Sequence, residues 1–276
     1  MNGVVNGSGA AAALALSFSG CGFLGTYHIG SARCLLKHGS LVLKSTTKVA
    51  GSSAGALVAA VLLACPDKLP LCLHELYDLA DELNGLKFGA LTPGFSLANR
   101  LQTLIEQTLP DQSHRRLDNY LHISMTRLSS RVNRLESSYS SRDILIRCLL
   151  ASSFIPVYAG NKDSVPLLED GEQYVDGGLS DNLPKFEQLR TVTVSPFSGE
   201  AEISPDDKEA RPIFDWTMTL ANQVMKVNLK NLVRGAQALF PPKRSILEHY
   251  YQMGYRDTMK FLLNEGWFER EDGSDV

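Results

Sequence analysis

The chain has 276 residues, 44% of them hydrophobic and 21% charged, with Lys+Arg 27 against Asp+Glu 30. That length is enough to bury a sizeable core in one large domain, with room for a smaller appendage. A net charge of -3 excludes the basic excess of a dedicated nucleic-acid binder, and the composition excludes disordered, collagen-like and coiled-coil chains.

In chain order, residues 1–13 are rich in Gly, Asn and Ala and carry no charged side chain, so they are expected to be a flexible tail rather than a secretory leader. Strand-like runs follow at 13–19, 46–50, 122–126, 134–140, 173–175 and 191–195. Between them, helical patterns cover 26–37, 54–64, 69–83, 97–108 and 142–151. The longest continuous apolar stretch, 54–65, has about half the length of a membrane-spanning helix, so no span is expected. Strands alternating with helices imply crossover units, hence an α/β fold whose mostly parallel sheet is covered on both faces. Beyond Pro196 a Pro/Asp/Ser-rich loop, 195–212, leads to two long helix-like segments, 214–240 and 245–264, and an acidic end, 269–275, expected to fray. A boundary is placed between a core of 14–187 and a C-terminal helical extension, 188–276, packed on it. The five cysteines (Cys21, Cys34, Cys65, Cys72, Cys148) are odd in number and without a Cys-x-x-Cys pair, which suits neither a disulfide framework nor a structural zinc and points to a reducing compartment.

Three glycine-bearing signals fall at strand ends. The first, Gly20-Cys21-Gly22-Phe23-Leu24-Gly25, joins the first strand to the first helix, where Gly-x-Gly-x-x-Gly lets backbone approach a negative group. A dinucleotide site of this form wants an acidic residue about 20 residues on, and none precedes Asp67. A phosphorylated dinucleotide would use Arg33 or Lys44 instead, and a turn that only packs helix on strand is the third reading.

The second signal, Gly51-Ser52-Ser53-Ala54-Gly55, has an apolar strand before it and a helix of small residues after it. Gly-x-Ser-x-Gly in that setting is the nucleophile-elbow pattern, with Ser53 central and the Ala54 N–H free to meet a developing oxyanion. The alternative is a serine that merely caps a core helix. The third signal, Asp176-Gly177-Gly178, sets a carboxylate on a tight turn after an apolar strand; alone it reads equally as an ordinary Asp-Gly turn. In an open α/β sheet all three loops would converge beyond the carboxyl ends of the strands. A nucleophilic serine needs a base, and among His28, His38, His74, His114, His122 and His249 only His249 comes late enough for the Ser-acid-His order. It sits in an amphipathic helical stretch, so no triad histidine is expected. The histidines and cysteines lack ligand spacing, and neither metal nor cofactor is expected.

The segments 19–25, 51–55 and 176–178 with the trailing Asn182-x-Pro184 resemble the patatin-like phospholipase domain. Further stretches, 89–94, 150–160, 194–199 and 238–242, are similar to the short single-domain animal members of that family, and the resemblance runs from about Leu14 to Phe268. It implies a three-layer α/β/α fold and a Ser–Asp dyad, Ser53 as nucleophile and Asp176 as general base. It also implies an oxyanion hole from the N–H groups of Gly20, Cys21, Gly22 and Phe23 together with Ala54, the motif glycines being Gly25, Gly51, Gly55, Gly177 and Gly178. Plant members carry a basic residue where this chain has Leu24, so the charge would be met by backbone dipoles alone. The implied activity is hydrolysis of fatty-acyl esters of neutral lipids (triacylglycerol, retinyl esters or phospholipids), with transacylation when an alcohol replaces water. A second reading keeps the fold as a catalytically idle lipid-binding or scaffold protein.

An aspartate with an ordinary pKa near 3.9 is a poor base at neutral pH, so a dyad requires Asp176 to be desolvated, and the flanking Val175 and Leu179 suit that. Lys226, Lys230 and Arg234 recur at helical spacing as a basic stripe that either docks an anionic surface or is simply solvated. The expected partners are a lipid ester and a peripheral lipid-droplet or membrane surface, in the cytoplasm.

Overall fold

The computed structural model describes residues 13–160, 164–207 and 217–270; all but Ala13 of the expected tail, and 271–275 of the expected acidic end, lie outside them. The chain begins with β1 (Leu14–Phe18), a short 3-10 turn (Gly22–Leu24) and α1 (Gly25–His38), then α2 (Ser40–Ser45), β2 (Thr46–Ser52) and α3 (Ala54–Ala64). Next come α4 (Leu69–Gly85), α5 (Leu97–Thr108), α6 (Ser113–Leu117), β3 (Leu121–Arg127), β4 (Asn133–Glu136) and α7 (Arg142–Ser152). The last elements are β5 (Tyr174–Asp176), β6 (Arg190–Val194), β7 (Thr217–Leu220), β8 (Gln223–Lys226), α8 (Leu229–Leu239) and α9 (Arg244–Glu265).

The central sheet is six-stranded, in the order β4-β3-β2-β1-β6, with β5 also on β3. β6–β1, β1–β2 and β2–β3 are parallel, while β4 and β5 run antiparallel to β3. All five residues of β1 are buried, as in a strand covered on both faces, so the α/β class and the mostly parallel sheet hold. The strand order reverses between β1 and β6, which places the ligand crevice of the fold beyond the carboxyl end of β1.

The register brings two loops together. β2 pairs with β3 as far as Ser52↔Ser124, and β5 takes over at Asp176↔Met125. Because β4 occupies Ile123–Thr126 from the other side, β2 and β5 share one edge of β3 and meet end to end on adjacent rungs. The residues at the junction are Ser53 and Asp176.

The expected 187/188 division does not coincide with a break in the sheet, since β6 lies beyond it and pairs with all of β1. The expected single helix over 214–240 is, within the described residues, the two-stranded β7–β8 hairpin followed by α8. The final helix does pack on the core: Gly30 of α1 and Gly254 of α9 let the two backbones touch, since a Cβ on either would strike a carbonyl of the other helix. Ser31 Oγ donates to the Gly254 carbonyl (3.2 Å) and Tyr27 Oη to Asp257 (2.9 Å) across the same seam. Glu269 does not fray. Its N–H donates to the His38 carbonyl (2.9 Å), and its carboxylate accepts from Ser40 N (2.9 Å). The expected 134–140 strand stops at Glu136, whose Oε1 accepts from the N–H groups of Ser137 and Ser138 (3.0 Å each) and turns the chain.

Candidate active site

Ser53 is the N-cap of α3 and sits at φ 51, ψ -127, a conformation that costs a non-glycine residue about 1–3 kcal/mol. Two contacts hold it there. Its N–H donates to Ser152 Oγ (2.8 Å), and that hydroxyl donates onward to the Ser124 carbonyl (2.7 Å), latching the turn to α7 and β3. Gly55 lies against the Phe18 carbonyl of β1, where any Cβ would collide, so α3 can leave the sheet at this steep angle.

Asp176 is pinned through its backbone: its N–H donates to the Phe154 carbonyl (2.9 Å) and its own carbonyl accepts from Thr126 Oγ1 (2.8 Å). Its carboxylate accepts from the Gly178 N–H (2.7 Å) and faces the Ser53 hydroxyl. Asp176 is 5% exposed and Ser53 8%. Burial pushes the Asp176 pKa up to about 6, and the neighbouring Ser53 and Ser52 hydroxyls and the hydrogen bond from the Gly178 N–H keep it from rising further.

The glycine loop closes the site from the β1 side. Gly20, Cys21, Gly22, Phe23, Gly25, Ser53, Ala54, Asp176 and Gly178 all line one cavity of about 1260 Å³, whose walls are overwhelmingly apolar. Gly51, Gly55 and Gly177 stand behind it, packed against α3, β1 and β3 respectively. Gly22 takes φ +52 and lies under the Ala238 carbonyl of α8, which fills the approach that a dinucleotide phosphate would need. Gly22 and Phe23 open the 3-10 turn and Ala54 opens α3, positions whose N–H groups have no partner within their own helix.

Gly20 departs from the expected donor set. Its N–H is occupied by Asn182, donating to Oδ1 (3.1 Å) and to the main-chain oxygen (3.3 Å). Asn182 Nδ2 in turn donates to the Gly20 carbonyl (3.2 Å) and to Gln223 Oε1 (2.6 Å), and Gln223 Nε2 donates to Ser195 Oγ (2.6 Å). Asn182 therefore clamps the glycine loop to the Asp-Gly-Gly loop and to the β7–β8 hairpin. Asn182→Ala is expected to lower kcat on a soluble ester about ten- to hundredfold with little change in KM, because the loop loses its anchor while the cavity remains. Steady-state kinetics with a short-chain ester test this.

Among the described residues no histidine lines the cavity. His28 is fully buried behind the glycine loop, where burial lowers its pKa to about 4. The neutral ring donates Nε2–H to the Ser19 carbonyl (2.8 Å), so it props the loop and is no base. His249 lines a different pocket beside Asp207 and Tyr250. Burial, then the charge of Asp176, raises the Cys21 pKa well above that of an ordinary thiol, so the thiol is no rival nucleophile.

The basic stripe does not form. Lys226 belongs to β8, while Arg234 is 5% exposed and turns inward, its two terminal nitrogens donating to Asp207 (2.8 and 3.0 Å). Lys230 approaches the same carboxylate (3.7 Å).

Ser152, Asn182, Gln223 and His28 carry roles that sequence reasoning did not assign. Ser152 and Asn182 lie inside stretches already quoted for the resemblance, which was the available signal; Gln223 had none.

A family profile described as patatin-like phospholipase matches residues 16–186. Human patatin-like phospholipase domain-containing protein 4 is 48% identical over 92% of this chain and 98% of its own length. Mouse patatin-like phospholipase domain-containing protein 2 is 41% identical over 91% of the chain but only 50% of its own length. Human 1-acylglycerol-3-phosphate O-acyltransferase PNPLA3 is 37% identical over 91% of the chain and 51% of its own length, so the chain spans about half of these last two relatives. By the profile match and these identities, the chain belongs to the patatin-like phospholipase family.

Proposed function

We propose that the chain is a lipid acyl hydrolase working through Ser53 and Asp176 at the surface of lipid droplets or intracellular membranes. Membership of the family supports hydrolysis of lipid esters, and the relative described as an acyltransferase supports acyl transfer as a second outcome. The observation that carries the reading is the pairing of a strained, buried serine with a desolvated carboxylate at the end of a long apolar cavity.

In this reading the ester's acyl chain lies along the cavity and its carbonyl carbon meets Ser53 Oγ. As the Oγ–C bond forms, the hydroxyl proton passes to Asp176. Negative charge on the carbonyl oxygen is met by N–H groups of Cys21, Gly22, Phe23 and Ala54. The C–O bond to the leaving alcohol breaks, the alkoxide takes the proton from Asp176, and an acyl-serine remains. Water, deprotonated by Asp176, attacks the acyl carbon; the fatty acid leaves and Ser53 recovers its proton. An alcohol in place of water gives a new ester by the same step. Neutral-lipid esters suit a cavity with so little polar lining.

A fluorophosphonate probe, which phosphonylates an activated serine, tests the reading. The purified chain is expected to take the label and to lose it completely in Ser53→Ala. An unlabelled parent chain that still binds lipid would replace the enzyme by a lipid-binding protein.

A further inference from the structure

Helix α8 is built inside out. A surface helix of a water-soluble domain turns its apolar stripe inward and its charges outward. Here Arg234 is the inward residue, held by Asp207 and by Asn231 Oδ1 (2.8 Å), while Leu229 is 75% and Leu232 71% exposed. Asn231, also facing in, donates to the carbonyls of Ser198 and Lys226 (2.8 Å each), so the polar interior of the helix is satisfied and fixed. The hairpin beside it adds Met218, Leu220 and Val227, exposed by 46%, 55% and 49%. Leu239 continues the face at the far end of the helix. All six apolar residues are also on the rim of the cavity that ends at Ser53. An apolar patch of this extent on a polar-rimmed surface marks a contact site.

We propose that this face, the β7–β8 hairpin with the outer side of α8, seats the protein on a zwitterionic phospholipid surface. The inference rests on the acyl-hydrolase reading, in which a lipid must reach Ser53, and it names the surface and the mode of contact. Two observations select this occupant. The patch residues also line the apolar cavity, so an acyl chain leaving a lipid layer has apolar side chains to follow toward Ser53, whereas a protein seated there would cover the mouth. Both cations of α8, Lys230 and Arg234, are turned to Asp207, so the helix offers apolar area without calling for anionic headgroups, and Lys226 of β8 is the cation the hairpin adds to the face. Apolar side chains inserted at the headgroup–acyl boundary supply the attachment.

The test is flotation with pure phosphatidylcholine vesicles, at low and at high salt, on a Ser53→Ala chain that leaves the lipid intact. The Ser53→Ala chain is expected to float at both salt concentrations. Adding Leu229→Ser and Leu232→Ser is expected to lower its partition coefficient by about a hundredfold. Leu263→Ser, which removes a leucine of 57% exposure on α9, is expected to change it less than about twofold. An unchanged thermal midpoint establishes that the doubly substituted chain is folded; should it not fold, Met218→Ser with Leu220→Ser makes the same deletion from the hairpin. Undiminished flotation of the substituted chain overturns the proposal. So does flotation that requires anionic lipid and is lost at high salt. A dimer in sedimentation that the leucine substitutions dissociate, with flotation unaffected, would assign the face to a second copy of the chain. Partition is read without turnover, so failure of the hydrolase reading and failure of this one are separately visible.

Discussion

Asp176→Asn is expected to lower kcat on a soluble ester by about 10⁴-fold, Ser53→Ala by at least as much, and the pair together by no more than Ser53→Ala alone. The two groups act as one unit: without the carboxylate the serine hydroxyl keeps its proton, and without the hydroxyl the carboxylate has nothing to deprotonate. Asn preserves the shape of the turn, because its amide oxygen still accepts from the Gly178 N–H, so the loss is chemical. Stability moves the other way. In the folded chain Asp176 holds its proton up to about pH 6, and at the ordinary value of 3.8 in the unfolded one. Between these values the folded state binds more protons, so Asp176 makes the parent chain less stable as pH rises through that window. Above pH 6 the substitution removes this penalty and is expected to stabilise the fold by roughly 2–3 kcal/mol, an advantage that vanishes toward pH 4. The parent's kcat/KM is expected to decline with unit slope below about pH 6, as the base takes up its proton. Chemical unfolding and ester kinetics across pH measure both limbs. A fully active Asp176→Asn chain would falsify the dyad.

The site was legible in the sequence where chemistry and local geometry coincide. Gly51-Ser52-Ser53-Ala54-Gly55 must leave a strand and open a helix of small residues within five positions, the pattern an elbow requires. Val175-Asp176-Gly177 marked the end of β5 for the same reason. What the sequence did not carry was long-range pairing. Residues 217–226 read as helix because Met, Leu, Val and Gln tolerate either period, and the hairpin turns on Ala221 and Asn222 at φ 44 and 61, where Ala carries no turn signal. The Gly20 N–H looked free for an oxyanion because its acceptor, Asn182, lies 162 residues away. Lys226, Lys230 and Arg234 recur at helical spacing, but Lys226 lies on β8, and the two on α8 are turned to Asp207, within a loop that gave no hint of burial. The exposed leucines of α8 were visible as letters and invisible as a surface until that ion pair fixed which side faces in.

Arg234→Met is expected to destabilise the fold by about 3–5 kcal/mol, the range for removing one partner of a buried ion pair. Arg234 and Asp207 have side chains 6% and 4% exposed and meet through two hydrogen bonds. Met fills the volume but leaves Asp207 with Lys230 at 3.7 Å, half exposed and more weakly coupled, and with the Asn228 amide at 3.2 Å. Burial by itself would raise the Asp207 pKa; the hydrogen bonds and charge of Arg234, with the nearby Ser198 and Lys230, overcome it and hold the group at about 2. A carboxyl depressed in the folded state stabilises above its unfolded value of 3.8, and that contribution is lost as pH falls toward 2. The gap between parent and Arg234→Met is therefore expected to be full at neutral pH and to close in strong acid, where Asp207 is protonated in both. Replacing both partners, Arg234→Met with Asp207→Leu, is expected to recover much of the loss, because no charge is then stranded. Urea unfolding of the parent, Arg234→Met, Asp207→Leu and the double variant across pH gives the coupling directly. A gap independent of pH, or a double variant as unstable as Arg234→Met, would reject the ion pair as the element that holds α8 with its leucines outward.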